Sequence, residues 1–188
     1  MQVRYAVDMT VPGRFGPDGE GDLHIRITKL MKKLHGAFTA LGKRFAIDLP
    51  MYGRASSMSV IRVFAESREE LEALVAQISD RCAQLKVSVG APREIPEGFD
   101  GKWVFCRRFR IPSRKKEAGL DKSFRAARMQ AAEQNRMAHF TVRSASNGHS
   151  YRVYVLREEV EPSAGHRDGV VDGYGLSNVD APVLLPVL

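Results

Sequence analysis

Histidine is the side chain that ordinarily titrates near neutral pH, and of the five in this chain His35 is placed to use it. It lies one turn after Met31 and one before Phe38, in a stretch whose apolar residues recur at helical spacing. That spacing sets it at the edge between core and solvent, where an imidazole serves as a general acid/base or as a structural side chain. His139 and His149 flank a hairpin and carry the same two readings. His24, in the first turn of its helix, and His166, in a Gly-rich loop, are expected to face solvent. Ser144 and Ser146 end a strand, where their hydroxyls could hold a reacting group or only cap a turn. Tyr174 stands between Gly173 and Gly175, a spacing that suits close backbone approach at a packed site and also an ordinary turn. There is no Ser-His-Asp spacing, no phosphate-cradling Gly-rich loop and no carboxylate pair. Cys82 and Cys106 are too few for a four-ligand zinc site and have no histidine close in sequence, so no metal or other cofactor is expected. Both thiols are read as reduced core or strand residues.

What such a site would face is suggested by charge. Residues 107–128 hold nine Lys or Arg (Arg107, Arg108, Arg110, Arg114, Lys115, Lys116, Lys122, Arg125, Arg128) against Glu117 and Asp121. That local excess of +7 equals the formal net charge of the whole chain, so the rest balances and the positive field is expected from this one place. A block of one sign points to a polyanion, with a solvated basic helix as the alternative. Leu120, Phe124, Ala127 and Ala131 recur at spacings of four, three and four. This predicts a helix seated by that stripe, with Lys122, Arg125 and Arg128 presented outward to phosphates.

The bulk properties narrow the class. A length of 188 residues suits one large domain or two small ones, and a hydrophobic fraction of 44% excludes a disordered chain. The pI of about 9.6 fits nucleic acid better than a membrane surface. No apolar run approaches the roughly 18 residues of a spanning helix, and MQVRYAVDMTVPG lacks a signal-peptide block, which predicts a cytoplasmic protein.

The elements that must position these residues follow from periodicity. Val3, Tyr5, Val7, Met9 and Val11 alternate up to Pro12-Gly13, which predicts a strand with one buried face. Asp22 is the expected N-cap of a helix whose stripe is Leu23, Ile27, Leu30, Met31, Leu34, Phe38 and Leu41, ended by Gly42. Strands are expected over 44–49 and 58–64, then a helix opened by the capping box Ser67/Glu70, then a short strand over 86–89. The order strand, helix, strand, strand, helix, strand predicts an α+β protein with a ferredoxin-like (RRM-like) domain over residues 1–97, two helices covering one face of its sheet. The Pro- and Gly-rich residues 90–101 mark a boundary. Residues 98–188 then form an irregular second domain: a strand over 103–111, the basic helix to about 137 with a weak point at Gly119, a hairpin around Asn147-Gly148, and a tail of loops and short strands. The strands lack the aromatic RNP signature, so this fold does not by itself assign RNA binding.

Three stretches, in order and spacing, carry a resemblance: LMKKLHGAF at 30–38, FTVRSASNGHSYRVYV at 140–155, and YGLS at Tyr174–Ser177. With the basic segment from Arg108 and Arg110 through Arg128, they resemble the CRISPR-associated endoribonucleases that process repeat RNA in type I systems, specifically the subtype I-F (Csy) branch. The resemblance implies a metal-independent enzyme that binds the repeat stem-loop and cuts at the 3′ base of the stem. In it a 2′-hydroxyl attacks the adjacent phosphorus and leaves a 2′,3′-cyclic phosphate. By motif, His35 would deprotonate that hydroxyl, Ser144 would hold it in line, and Ser146 and Tyr174 would position the nucleotide or His35. Arg114, Lys115, Lys122, Arg125 and Arg128 would meet stem phosphates, with Arg107, Arg108 and Arg110 on the preceding strand. Arg108 and Arg110 are the candidates for base edges, because Arg pairs bidentately with guanine. The implied partners are CRISPR repeat RNA, bound by a monomer, and the other subunits of a type I-F surveillance complex or its transposon-associated version, in a bacterial cytoplasm. Two features depart from the family pattern: the basic helix is less dense in Arg and broken at Gly119, and Arg110 stands where another polar base reader can occur. Two other classes remain open: a non-catalytic subunit that caps the RNA hairpin, and a generic ferredoxin-like nucleic-acid binder.

Overall fold

The structure, a computed structural model, describes residues 1–14, 21–53, 58–112, 122–143, 148–161 and 169–188, the side chain of Lys122 excepted. Among them the elements run β1 (Tyr5–Thr10), α1 (Asp22–Leu41), β2 (Ala46–Asp48), β3 (Val60–Ala65), α2 (Arg68–Leu85), β4 (Ser88–Val89) and β5 (Arg93–Glu94). They continue with β6 (Trp103–Phe109), α3 (Lys122–Gln134), β7 (His139–Arg143), β8 (Ser150–Val160) and β9 (Leu185–Pro186). This is a mixed α+β protein with two antiparallel sheets, ordered β2-β3-β1-β4 (with β5 also on β1) and β7-β8-β6-β9. No helix among the described residues is long and apolar enough to cross a membrane.

Helix α1 follows its predicted stripe and stops at Gly42, whose φ of 60° is the left-handed conformation glycine adopts without steric cost. Its N-cap is Gly21 rather than Asp22. Asp22 sits one position inside and its Oδ1 accepts the amide of Arg14 at 2.9 Å, so the carboxylate that was expected to cap the helix ties down the preceding loop. Ser67 caps α2 as expected, accepting the Glu70 amide at 3.3 Å.

Strand β1 departs from the sequence reading in a way that matters. Alternation predicted one buried face, yet Ala6 and Val7 are both fully buried. Val7 and Met9 face the apolar sides of α1 and α2, while Ala6, Ala46 and Phe64 face a second layer of Val104, Val183 and Leu185. The face left by the helices is therefore covered by the second sheet and the tail. The main core also crosses between the halves of the chain, joining Leu30 and Leu34 of α1 to Phe140, Val153 and Val155 of the second sheet. Each such fully buried side chain contributes about 1.5–3 kcal/mol.

Where β2, the edge of the first sheet, meets the second sheet, the contact is ionic. Asp48 on β2 is fully buried and accepts Nε and Nη2 of Arg157 on β8 at 2.6 and 3.3 Å. The same carboxylate accepts the Leu49 amide at 2.8 Å and the Cys106 thiol at 3.5 Å. Burial, reinforced by Asp48, pushes the Cys106 thiol well above its ordinary pKa, so it stays a thiol and a donor. A buried carboxylate with this many donors is tolerated because its lost hydration is replaced bond by bond.

Asp48→Ala is therefore expected to cost about 3–5 kcal/mol, because it strands the Arg157 guanidinium at the interface. A chemical-denaturation midpoint for the variant close to that of the parent would show that the ion pair does not join the sheets.

Candidate active site

His35 projects from the edge of α1's buried stripe and is half-buried. Its Nδ1 lies 2.6 Å from the carbonyl oxygen of Gly173. A carbonyl only accepts, so Nδ1 carries the proton and, in the neutral ring, Nε2 holds the free lone pair. One hydrogen bond thus selects the tautomer that can accept a proton at Nε2.

The carbonyl is held by a turn that the sequence shows only as a Gly-Tyr-Gly spacing. Asp172 accepts the amides of Tyr174 and Leu176 on Oδ1 at 2.8 and 3.1 Å, and its own amide donates to the Leu176 carbonyl at 2.8 Å. Gly175, at φ +77°, donates to the Asp172 carbonyl and presents its own carbonyl to the Ile47 amide, each at 2.9 Å. The turn is thereby hung on the free edge of β2, beside the Asp48 ion pair. Gly173 needs its missing side chain for another reason: a Cβ there would lie 2.8 Å from His35 Cε1.

Tyr174 stacks on the His35 ring, centroids 4.4 Å apart at 21°, and is backed by Phe140 at 5.4 Å. Its hydroxyl bonds to Tyr151 of β8, over whose ring the Arg108 guanidinium lies at 5.5 Å. Burial, with the Tyr151 hydroxyl and Asp172 adding to it and Arg108 opposing, pushes the Tyr174 phenol up to about 12. The Tyr174 phenol is therefore protonated near neutral pH. A chain of contacts runs from His35 through Tyr174 and Tyr151 to Arg108, joining α1, the tail turn, β8 and β6. Tyr151 was not singled out in the sequence. Its signal was its shared parity with the buried Val153 and Val155, which puts it on their face of β8 at the hairpin end, where it is itself exposed.

The pleat divides the arginines of β6 and the one that follows it. Arg108 and Arg110 line a cavity of about 280 Å³ with Asp172, Asn178 and Asp180 of the tail. Arg107 points to the other face, where Glu158 of β8 takes it in a two-pronged ion pair. The basic helix is also seated differently from its predicted stripe. Phe124 is 45% exposed, and Ala127 is exposed as well. Besides the buried Ala132, the arginine row makes contact: Arg125 Nε donates to the Pro112 carbonyl at 3.1 Å and Arg128 Nε to the Arg110 carbonyl at 2.7 Å. Arg128 also stacks 3.9 Å above Phe109. Beyond the end of β6 the backbone carbonyls of Arg110 and Pro112 are taken by guanidinium forks, which outcompete the small apolar stripe for that surface.

His24 is a second correction. It is not solvent-facing but 6% exposed, with Nε2 3.2 Å from Thr141 Oγ1 and its ring 5.0 Å from that of His139. The second sheet packs beside the apolar stripe and widens the buried face of α1. Ser144, Ser146, Arg114, Lys115, Gly119 and His166, and the Lys122 side chain, lie outside the described residues. Among the described residues no three His, Cys, Asp or Glu are grouped to hold a metal ion.

The site therefore holds an imidazole with Nδ1 hydrogen-bonded to a backbone carbonyl, an aromatic ring stacked on it, and two arginines that line one cavity. The chain belongs to the family described as CRISPR-associated protein (Cas_Csy4), whose model matches residues 13–185 of the 188. These are the type I-F CRISPR repeat-processing endoribonucleases, which gives this chain a role in processing CRISPR RNA and repeat RNA as its binding partner. No curated protein matches the chain.

Two measurements check this geometry. Tyrosinate absorbance should show one phenol titrating near pH 12, lost in Tyr174→Phe. Because the folded pKa is raised, its stabilisation is complete below about pH 10 and is lost as pH climbs from there toward 12; a full set of tyrosines titrating together near 10 would contradict the stack. Gly173→Ala should push the His35 ring aside and lower cleavage about 10²-fold, the scale of a 1 Å misplacement. An unchanged rate in that variant would mean that the orientation of the His35 ring by this carbonyl does not matter to cleavage.

Proposed function

We propose that this protein is a metal-independent endoribonuclease that cuts CRISPR repeat RNA at the 3′ base of its stem-loop and keeps the hairpin product. The observation that carries the reading is the Nδ1–Gly173 bond, which puts the proton of the neutral His35 ring on Nδ1 and turns Nε2 into its acceptor atom. In the proposed step, Nε2 takes the proton of the 2′-hydroxyl, the 2′-oxygen bonds to the adjacent phosphorus, and the phosphorus–O5′ bond breaks. The leaving O5′ takes up a proton, and the 5′ fragment ends in a 2′,3′-cyclic phosphate. DNA lacks the attacking hydroxyl, so RNA specificity follows from the chemistry. Ser144 would hold the 2′-hydroxyl in line and Ser146 the nucleotide, while Tyr174 keeps the imidazole plane fixed by stacking.

The hairpin would sit on the Arg-rich side. Arg108 and Arg110, which share one cavity with tail acceptors, are the base-edge candidates. Arg114, Lys115, Lys122, Arg125 and Arg128 would meet phosphates. Arg107 would act through its Glu158 pair, keeping β6 and β8 rigid beneath the RNA, unless the RNA displaces that pair. Residues 1–97 we read as a ferredoxin-like domain, supported by the element order and the strand order β2-β3-β1-β4, with 98–188 as the RNA-hairpin domain. The bound product would enter a type I-F surveillance complex in the bacterial cytoplasm.

The test is cleavage of a labelled repeat hairpin in EDTA by wild type and His35→Ala. A wild-type cut at the foot of the stem with a cyclic phosphate end, reduced at least 10²-fold in the variant while binding persists, is expected. Tight binding with no cut by either protein would make this a hairpin-capping subunit.

A further inference from the structure

We propose that the solvent ridge of α1 beside His35 is a track for the single-stranded RNA that continues past the scissile phosphate. The proposal rests on the endoribonuclease reading. If Nε2 meets the 2′-hydroxyl, the hairpin lies toward Arg108 and Arg110, and the strand leaving the cut must cross another surface next to His35.

Ile25, Lys29, Lys32 and Gly36 recur at spacings of four, three and four, and all four are exposed. They make one row along α1, with Lys32 a single turn before His35. The charge of this region is one-sided. Residues 22–44 hold Arg26, Lys29, Lys32, Lys33, Lys43 and Arg44 against Asp22 alone. The count outside the basic segment balances, but the surface does not, so the positive field comes from two places. Arg26, Lys43 and Arg44 are paired, with Asp22, Glu70 and Glu66 at 3.5, 3.3 and 3.5 Å. Lys29 and Lys32 make no ion pair among the described residues.

Gly36 is the second, independent observation. It lies inside a helix, where glycine is less favourable than alanine. Its φ is not in the left-handed region, and a Cβ there would meet nothing within 4 Å. No packing among the described residues calls for a glycine. A sugar-phosphate backbone lying close against the helix would, because each added methyl holds the strand away from Lys29, Lys32 and His35. The exposed Ile25, at 51%, offers an apolar face for a base at the far end of the same row.

The experiment uses a repeat hairpin with a 2′-deoxy nucleotide before the cut, which blocks attack, with or without a short single-stranded 3′ tail. For wild type the tail should raise affinity and steepen the salt dependence by about 1.4 in log–log slope for two phosphates. Between 50 and 200 mM salt that is about a sevenfold larger loss for the tailed RNA. Lys29→Ala with Lys32→Ala should abolish both differences. Gly36→Ala should raise Tm by about 2–4 °C through helix propensity and yet reduce the affinity gained from the tail. A tail that adds nothing to wild-type binding, or whose gain survives in the double lysine variant, overturns the proposal. A Gly36→Ala protein with higher Tm and an undiminished gain removes Gly36 from the track. The all-ribose hairpin with the same tail is the control for the underlying reading: if wild type binds but never cuts it, the enzyme reading fails and this proposal with it.

Discussion

The salt bridge between Asp48 and Arg157 is the contact on which the rest of the architecture turns. Two packed sheets need a specific register, and apolar packing alone tolerates alternatives. A fully buried carboxylate is not tolerant. Beside the local Leu49 amide it must find its guanidinium fork and the Cys106 thiol together, which fixes the placement of β2 against β6 and β8. One residue away, the Ile47 amide holds the Gly175 carbonyl, so the register set by the ion pair also sets the tail turn that carries Gly173. The orientation of the His35 ring is thus linked to an ion pair that lies outside the site.

That dependence explains why the site draws on such distant parts of the chain. α1 provides the imidazole, the tail provides the carbonyl and the stacking ring, β8 provides Tyr151, and β6 provides Arg108. None of these elements could orient His35 alone. A lone imidazole at a helix edge has two tautomers and a freely turning ring; the Gly173 carbonyl removes the first freedom and Tyr174 the second. Preorganisation of this kind lowers the cost of reaching a reactive geometry. The Tyr174 phenol, held at about 12, stays protonated beside that ring.

Electrostatics follow the same division of labour. Arg107, Arg125 and Arg128 belong to the basic segment, yet each also binds part of its own chain, to Glu158, Pro112 and Arg110. Cations that build the surface and cations that remain for an anion are therefore not separate sets. The two helices of the N-terminal half differ in sign: α1 is basic, while α2 carries Glu69, Glu70, Glu72 and Asp80 against Arg68 and Arg81. A polyanion is drawn to one side of the helical layer and repelled from the other.

By itself the sequence determined the elements: both long helices, the alternating strands, the pairing of β7 with β8, and the α+β class. These are local consequences of periodicity and turn chemistry, written in adjacent residues. The family was legible too, because LMKKLHGAF, FTVRSASNGHSYRVYV and YGLS keep their order. What the tertiary structure decided depends on partners far apart in the chain. Ala6 is buried because the tail covers its face, and His24 because the second sheet widens the buried side of α1. The basic helix is seated by its arginines because the carbonyls of Arg110 and Pro112 lie beneath them. The tautomer of His35 was set by a carbonyl 138 residues away. Periodicity records which side of an element is apolar; only packing decides what lies against it, and hydrogen-bond direction at a histidine follows from that neighbour.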